Sequence, residues 1–73
     1  MQNQQVHINR VAFQSPNPTT GEALYALAEI ANHEKLYREI KGDQEDELIL
    51  RDETPVDVKE DEHFYSQKMF DIL

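Results

Sequence analysis

Residues 18–32, P-T-T-G-E-A-L-Y-A-L-A-E-I-A-N, hold the only apolar residues that recur at helical spacing over three turns, and they predict one amphipathic helix. Leu24, Leu27, Ala28 and Ala31 follow i, i+3, i+4, i+7; Ala23 and Ile30 widen the stripe, and Glu22, Tyr25 and Glu29 fall on or near the opposite face. Thr19 and Glu22 have the spacing of a capping box, Pro18 cannot extend the helix backwards, and Asn32 can take the left-handed conformation that closes one. Elsewhere the pattern changes to period two. Residues 5–9 alternate, with Val6 and Ile8 on one side and Gln5, His7 and Asn9 on the other. Asn9-Arg10 reads as a tight turn, because Asn tolerates positive φ, and residues 11–14 return as a second strand with Val11 and Phe13 on a shared face. Ser15-Pro16-Asn17-Pro18 reads as a loop that lifts the chain onto the helix.

Beyond a polar connector at 32–35, residues 36–41, L-Y-R-E-I-K, have strand character with one misfit, since Leu36 and Ile40 share a parity with Arg38. Residues 47–51 predict a short, more fully buried strand through Leu48, Ile49 and Leu50. Residues 52–58 read as a turn with two apolar pegs, Val56 and Val58. Residues 63–67 form a last short strand with Phe64 inward. Acidic turns fill 42–46 and 60–62. Seventy-three residues make one domain with a single small core. Burying Leu24, Leu27 and Ile30, at roughly 1.5–3 kcal/mol each, requires a sheet under the helix. The expected fold is therefore α+β: a hairpin, one helix crossing a four- to five-stranded mixed sheet, and a return to the middle of that sheet, the β-grasp arrangement. The domain is expected over 1–66, followed by a C-terminal tail over 67–73.

Charge changes the picture of what the fold meets. Residues 1–41 are balanced, Arg10, Lys35, Arg38 and Lys41 against Glu22, Glu29, Glu34 and Glu39, so the whole net charge of −8 falls on residues 42–73. Such a face repels nucleic acid and anionic membranes and attracts a basic protein surface; the plainer reading is solubility alone. The first residues, M-Q-N-Q-Q, carry neither the basic region nor the apolar core of a leader, and no stretch approaches the roughly 18 apolar residues of a membrane span. A cytoplasmic protein is the expectation, in keeping with the absence of cysteine.

Catalytic chemistry finds little footing. His7, His33 and His63 lie on separate elements without ligand spacing, and Ser15 and Ser66 lack a nucleophile motif. Asp43, Glu45 and Glu47 alternate like calcium ligands, yet the loop lacks the central Gly and terminal Glu of an EF-hand. No catalytic residue, metal site or cofactor of the chain's own is expected. The apolar tail residues Met69, Phe70, Ile72 and Leu73 either fold back on the domain or dock in a partner's groove as an extended strand.

Taken in order, V-H-I-N, P-T-T-G-E-A-L-Y-A-L-A, L-Y-R-E-I-K-G, D-E-L-I-L, D-E-T-P-V-D-V and H-F-Y resemble the prokaryotic multiubiquitin family of ubiquitin-like domains over nearly the whole chain. That family pairs an N-terminal hairpin with a P-T-x-x-E-I-L-x-L-A helix and closes on a D-E-x-V-D-L turn before an aromatic strand. The resemblance implies a bacterial β-grasp protein modifier, often encoded beside E1-like, E2-like and JAB-type deubiquitinase-like proteins, some in antiviral defence. It implies a single domain acting as a monomer or as one unit of a tandem array, with ATP used by the E1-like partner. It also implies that Gln67, Lys68, Met69, Phe70, Asp71, Ile72 and Leu73 form the tail that partner enzymes read, and that Tyr37 and Glu39 face outward from their strand toward partners. The departure is the terminus. Ubiquitin-like modifiers usually finish in Gly, whereas this chain ends K-M-F-D-I-L. Three explanations stand: the natural chain continues past Leu73, the related enzymes accept a bulky end, or the domain binds without being conjugated. A sulfur carrier is disfavoured by the missing Gly-Gly.

Overall fold

A computed structural model describes residues 2–68 of the chain. Strands β1 (Gln2–Ile8) and β2 (Val11–Asn17) form the opening hairpin, β3 (Thr19–Thr20) leads into helix α1 (Gly21–Leu27), and β4 (Glu34–Arg38), β5 (Glu47–Ile49), β6 (Pro55–Val56) and β7 (Glu62–Lys68) follow. The main sheet has the order β2-β1-β7-β4-β5, and β3 pairs with β6 in a small second ladder. β1 and β7 run parallel at the centre, and the other pairings are antiparallel. One helix on a five-stranded mixed sheet, with the last strand returning beside the first, is the expected α+β, β-grasp-like fold.

The hairpin turns where the alternation places it. Asn9 and Arg10 have φ of 52° and 70°, both left-handed, as a two-residue turn matched to the strand twist requires. β2 runs through Pro16 to Asn17, longer than the expected 11–14; Pro16 is tolerated because β2 is an edge strand. Val11 shares a face with Phe13 but is 54% exposed, while Phe13 packs against the core.

The helix is much shorter than the 18–32 periodicity suggests, because neighbours far along the chain claim its flanks. Thr19 and Thr20 are drawn into pairing with Val56 and Pro55, so Thr20, and not Thr19, caps the helix, its Oγ1 accepting the Ala23 N–H at 3.1 Å. The Gly21 and Glu22 N–H groups donate to the Thr54 and Asp52 carbonyls. At the far end Glu29, and not Asn32, takes the left-handed conformation, with φ of 52°. The Glu29 and Ile30 N–H groups donate to the Ala26 and Tyr25 carbonyls in the two bonds of a Schellman motif. Leu24 and Ile30 are buried as expected. Two faces are corrected: Ala23 is exposed, and Tyr25, expected outside, is 1% exposed in the core.

Val6, Ile8, Leu36, Ile49, Val56, Val58 and Phe64 complete the core with Leu24, Tyr25 and Ile30, and Leu27 and Ala28 pack against it. The strand over 47–51 is not a buried one. β5 stops at Ile49, and only Ile49 is buried; Leu48 and Leu50 are 43% and 53% exposed, because a three-residue edge strand alternates between core and solvent. Arg38 resolves the misfit in L-Y-R-E-I-K. It shares the core face with Leu36, lays its guanidinium 5.6 Å from the Phe64 ring centre, and donates from Nη2 to the Asp57 carbonyl at 2.8 Å. Arg38 Nε lies 3.4 Å from Glu47 Oε1, close enough for charge attraction though outside hydrogen-bond geometry. No helix among the described residues is long and apolar enough to cross a membrane.

Candidate interaction surface

With the helix on one face, no described residue covers the sheet's other face, and alternation decides what stands on it. Leu36, Ile49, Phe64, Val6 and Ile8 point into the core. Their neighbours Tyr37, Leu48, His63, Tyr65 and His7 therefore point outward. Register brings them into two cross-strand groups. Tyr37 of β4 stands opposite Tyr65 of β7, the rings stacked with centres 5.6 Å apart, and Leu48 of β5 stands opposite Tyr37 on its other side. His7 of β1 stands beside His63 of β7, the rings 4.6 Å apart and 11° from parallel. His7 Nε2 lies 3.5 Å from Asp61 Oδ1.

The rim is acidic. The Asp46 carboxylate folds back from the loop after β4, accepting the Ile40 N–H at 2.9 Å and the Tyr65 hydroxyl. The Ile40 N–H and then the Tyr65 hydroxyl hold the Asp46 carboxyl below its ordinary range, and the same bond pushes the Tyr65 phenol up to about 12. Between this pair and the hairpin turn lies a shallow depression of about 530 Å³, lined by Asn9, Arg10, Glu39, Asp46, His63, Phe64 and Tyr65. It can accept a side chain from a partner, with Glu39, Asp46, Arg10, His63 and Tyr65 among its lining residues.

Tyr37 lies half-buried on the outer face, and Glu39, exposed one residue past the end of β4, donates its N–H to the His63 carbonyl. Gln67 and Lys68, expected at the head of the tail, are exposed residues of β7 paired with Lys35 and Glu34. Met69, Phe70, Asp71, Ile72 and Leu73 lie outside the described residues. Four outward residues, His7, Leu48, His63 and Tyr65, escaped the sequence reading as surface candidates. Parity around Phe64 places His63 and Tyr65 on one face, but their meeting with His7 and Tyr37 depends on register between distant strands.

Asn9 fixes the end of that register. Its side chain accepts the Ser66 N–H and donates to Ser66 Oγ, both at 2.9 Å, filling the place where β1 ends and β7 continues. Among the described residues no three His, Asp or Glu side chains come together as a metal site. Comparisons of the chain with family models, curated proteins and solved structures found no match.

Proposed function

We propose that the chain is a bacterial ubiquitin-like protein modifier, acting in the cytoplasm through the active sites of partner enzymes and carrying no catalytic centre of its own. The observation that carries this reading is the place of β7, a central strand beside β1 whose last described residues, Gln67 and Lys68, are exposed at its end. A folded domain whose last strand runs out to exposed residues suits recognition by enzymes with narrow channels. In this reading the residues from Gln67 to Leu73 are read by an E1-like enzyme, an E2-like carrier and a JAB-type peptidase. The E1-like partner uses ATP to adenylate the terminal carboxylate, releasing pyrophosphate, and a thiol, hydroxyl or amine then takes the acyl group as AMP leaves. The acidic rim steers the domain toward basic partner surfaces.

The uncovered face favours a second reading, a non-covalent adaptor or regulator that is not itself conjugated. Tyr37, Tyr65 and Leu48 make an aromatic and apolar row ringed by carboxylates, the composition of a partner contact. Incubation with a neighbouring E1-like protein and ATP, followed by intact-mass measurement, separates the two. The modifier reading expects an adenylate or covalent adduct at the C-terminus; binding without an adduct favours the adaptor.

A further inference from the structure

Among the described residues the sheet has two open edges, and they differ. β2 is blunted by Pro16, which has no N–H to offer. β5 borders a groove of about 330 Å³ whose opposite wall is β6.

The backbone of β5 is set for pairing. The Tyr25 hydroxyl bridges Leu36 N–H and the Ile49 carbonyl, so the Ile49 backbone faces β4. In an antiparallel ladder the next residue faces the other way, which turns the Leu48 N–H and carbonyl toward the groove. Exposed Leu48 and Leu50 flank that opening, and Pro55 and Val56 make its far wall apolar.

Charge selects the occupant. Both nearby cations are committed inward: Arg38 to Glu47, Glu62 and the Asp57 carbonyl, and Arg51 to the Ile30 and Ala31 carbonyls and the Tyr25 ring. Exposed Asp57 lines the groove and exposed Glu53 directly precedes Thr54 of its wall; neither forms an ion pair among the described residues. A second copy of a chain of net charge −8 is repelled there, as is any anionic polymer. We propose that the β5 edge binds an extended apolar segment of another protein flanked by lysine or arginine, added to the sheet as a sixth strand, whether or not the terminus is conjugated.

The test is amide chemical-shift mapping of the full chain with two blocked peptides, Lys-Val-Leu-Val-Lys and Glu-Val-Leu-Val-Glu. The expected result is saturable shifts confined to residues 48–50 and 54–57 with the lysine peptide. Binding should weaken about tenfold between about 0.05 M and about 0.5 M salt, and by a similar factor for the glutamate peptide. Leu48→Pro, which removes the outward N–H, should abolish the shifts. The double variant Glu53→Gln, Asp57→Asn, altered only at exposed carboxylates, should weaken binding several-fold while leaving the free spectrum folded. Equal binding of both peptides, shifts centred on Tyr37 and Tyr65 or on β2, unchanged affinity in the double variant, or no shift at all would each overturn the proposal.

Discussion

The Tyr25 hydroxyl accepts the Leu36 backbone N–H at 2.7 Å and, at the same distance, donates its own proton to the Ile49 carbonyl. A side chain from the helix thus stands in for one rung of the β4–β5 ladder. Tyr25→Phe keeps the ring and removes the bridge, leaving a buried donor and a buried acceptor unmatched. The variant is expected to lose about 2–4 kcal/mol in urea unfolding at unchanged slope. A loss below about 0.5 kcal/mol would mean that the strands close directly on each other.

Gly21 is fixed by approach, not by conformation. A Cβ at this position would stand 1.7 Å from the Leu50 carbonyl oxygen, which belongs to the backbone and cannot swing aside. Gly21→Ala is expected to cost about 3 kcal/mol or more, despite the better helix propensity of alanine. A thermal midpoint equal to that of the parent chain would contradict the contact.

Glu29 is placed against its preferences twice. It holds a left-handed φ of 52° without being glycine, and it sets a negative charge just past the C-terminus of α1, where the helix dipole disfavours one. Glu29→Gly relieves both while keeping the Schellman bonds, and should raise stability by about 1 kcal/mol. Glu29→Ala keeps the backbone penalty and should gain less; the order of the two in denaturant midpoints checks the cause.

The Asp46–Tyr65 pair gives stability a pH signature at both ends. Asp46 is lowered from 3.8, so the unfolded chain binds its proton first and the contribution is present above 3.8, fading as pH falls through the lower folded value. Tyr65 is raised from 10.0 to about 12, so its contribution is present below 10 and is lost as pH rises through about 12. Ultraviolet titration should find one phenol ionising near 12 in the parent chain. In Asp46→Asn that midpoint should fall back toward 10; if it stays near 12, another neighbour holds the proton.

What could be read along the chain was what local chemistry decides. Asn9-Arg10 turned where two alternating runs met across two residues, and Val6, Ile8, Phe64, Val56 and Val58 went inward on parity alone. The strand misfit at Arg38 was visible too, though its solution was not, since the Asp57 carbonyl and Phe64 ring that receive it come from later elements. Helix length failed at both ends: β6, distant in sequence, takes Thr19 and Thr20 before the helix starts, and the left-handed turn at Glu29 ends it at Leu27, with Arg51 donating to the Ile30 and Ala31 carbonyls beyond. Tyr25 was misplaced because a stripe read from leucines and alanines cannot reveal that a phenol's oxygen is needed 11 residues downstream. On the outer face, the outward place of Tyr37 followed from the family resemblance and not from spacing, which Arg38 left ambiguous, while its stacking on Tyr65 was set by register.

The parallel neighbourhood of β1 and β7 reaches beyond the finished molecule. Since the middle of the sheet is a seam between the earliest and latest strands, a ribosome must release Glu62, His63 and Phe64 before that seam can knit, and until then the hairpin has only half of its lateral support. Synthesis of this domain is therefore all or nothing: a chain stalled before His63 carries Val6 and Ile8 with no central strand to shelter them, a species for chaperones and proteases to sort.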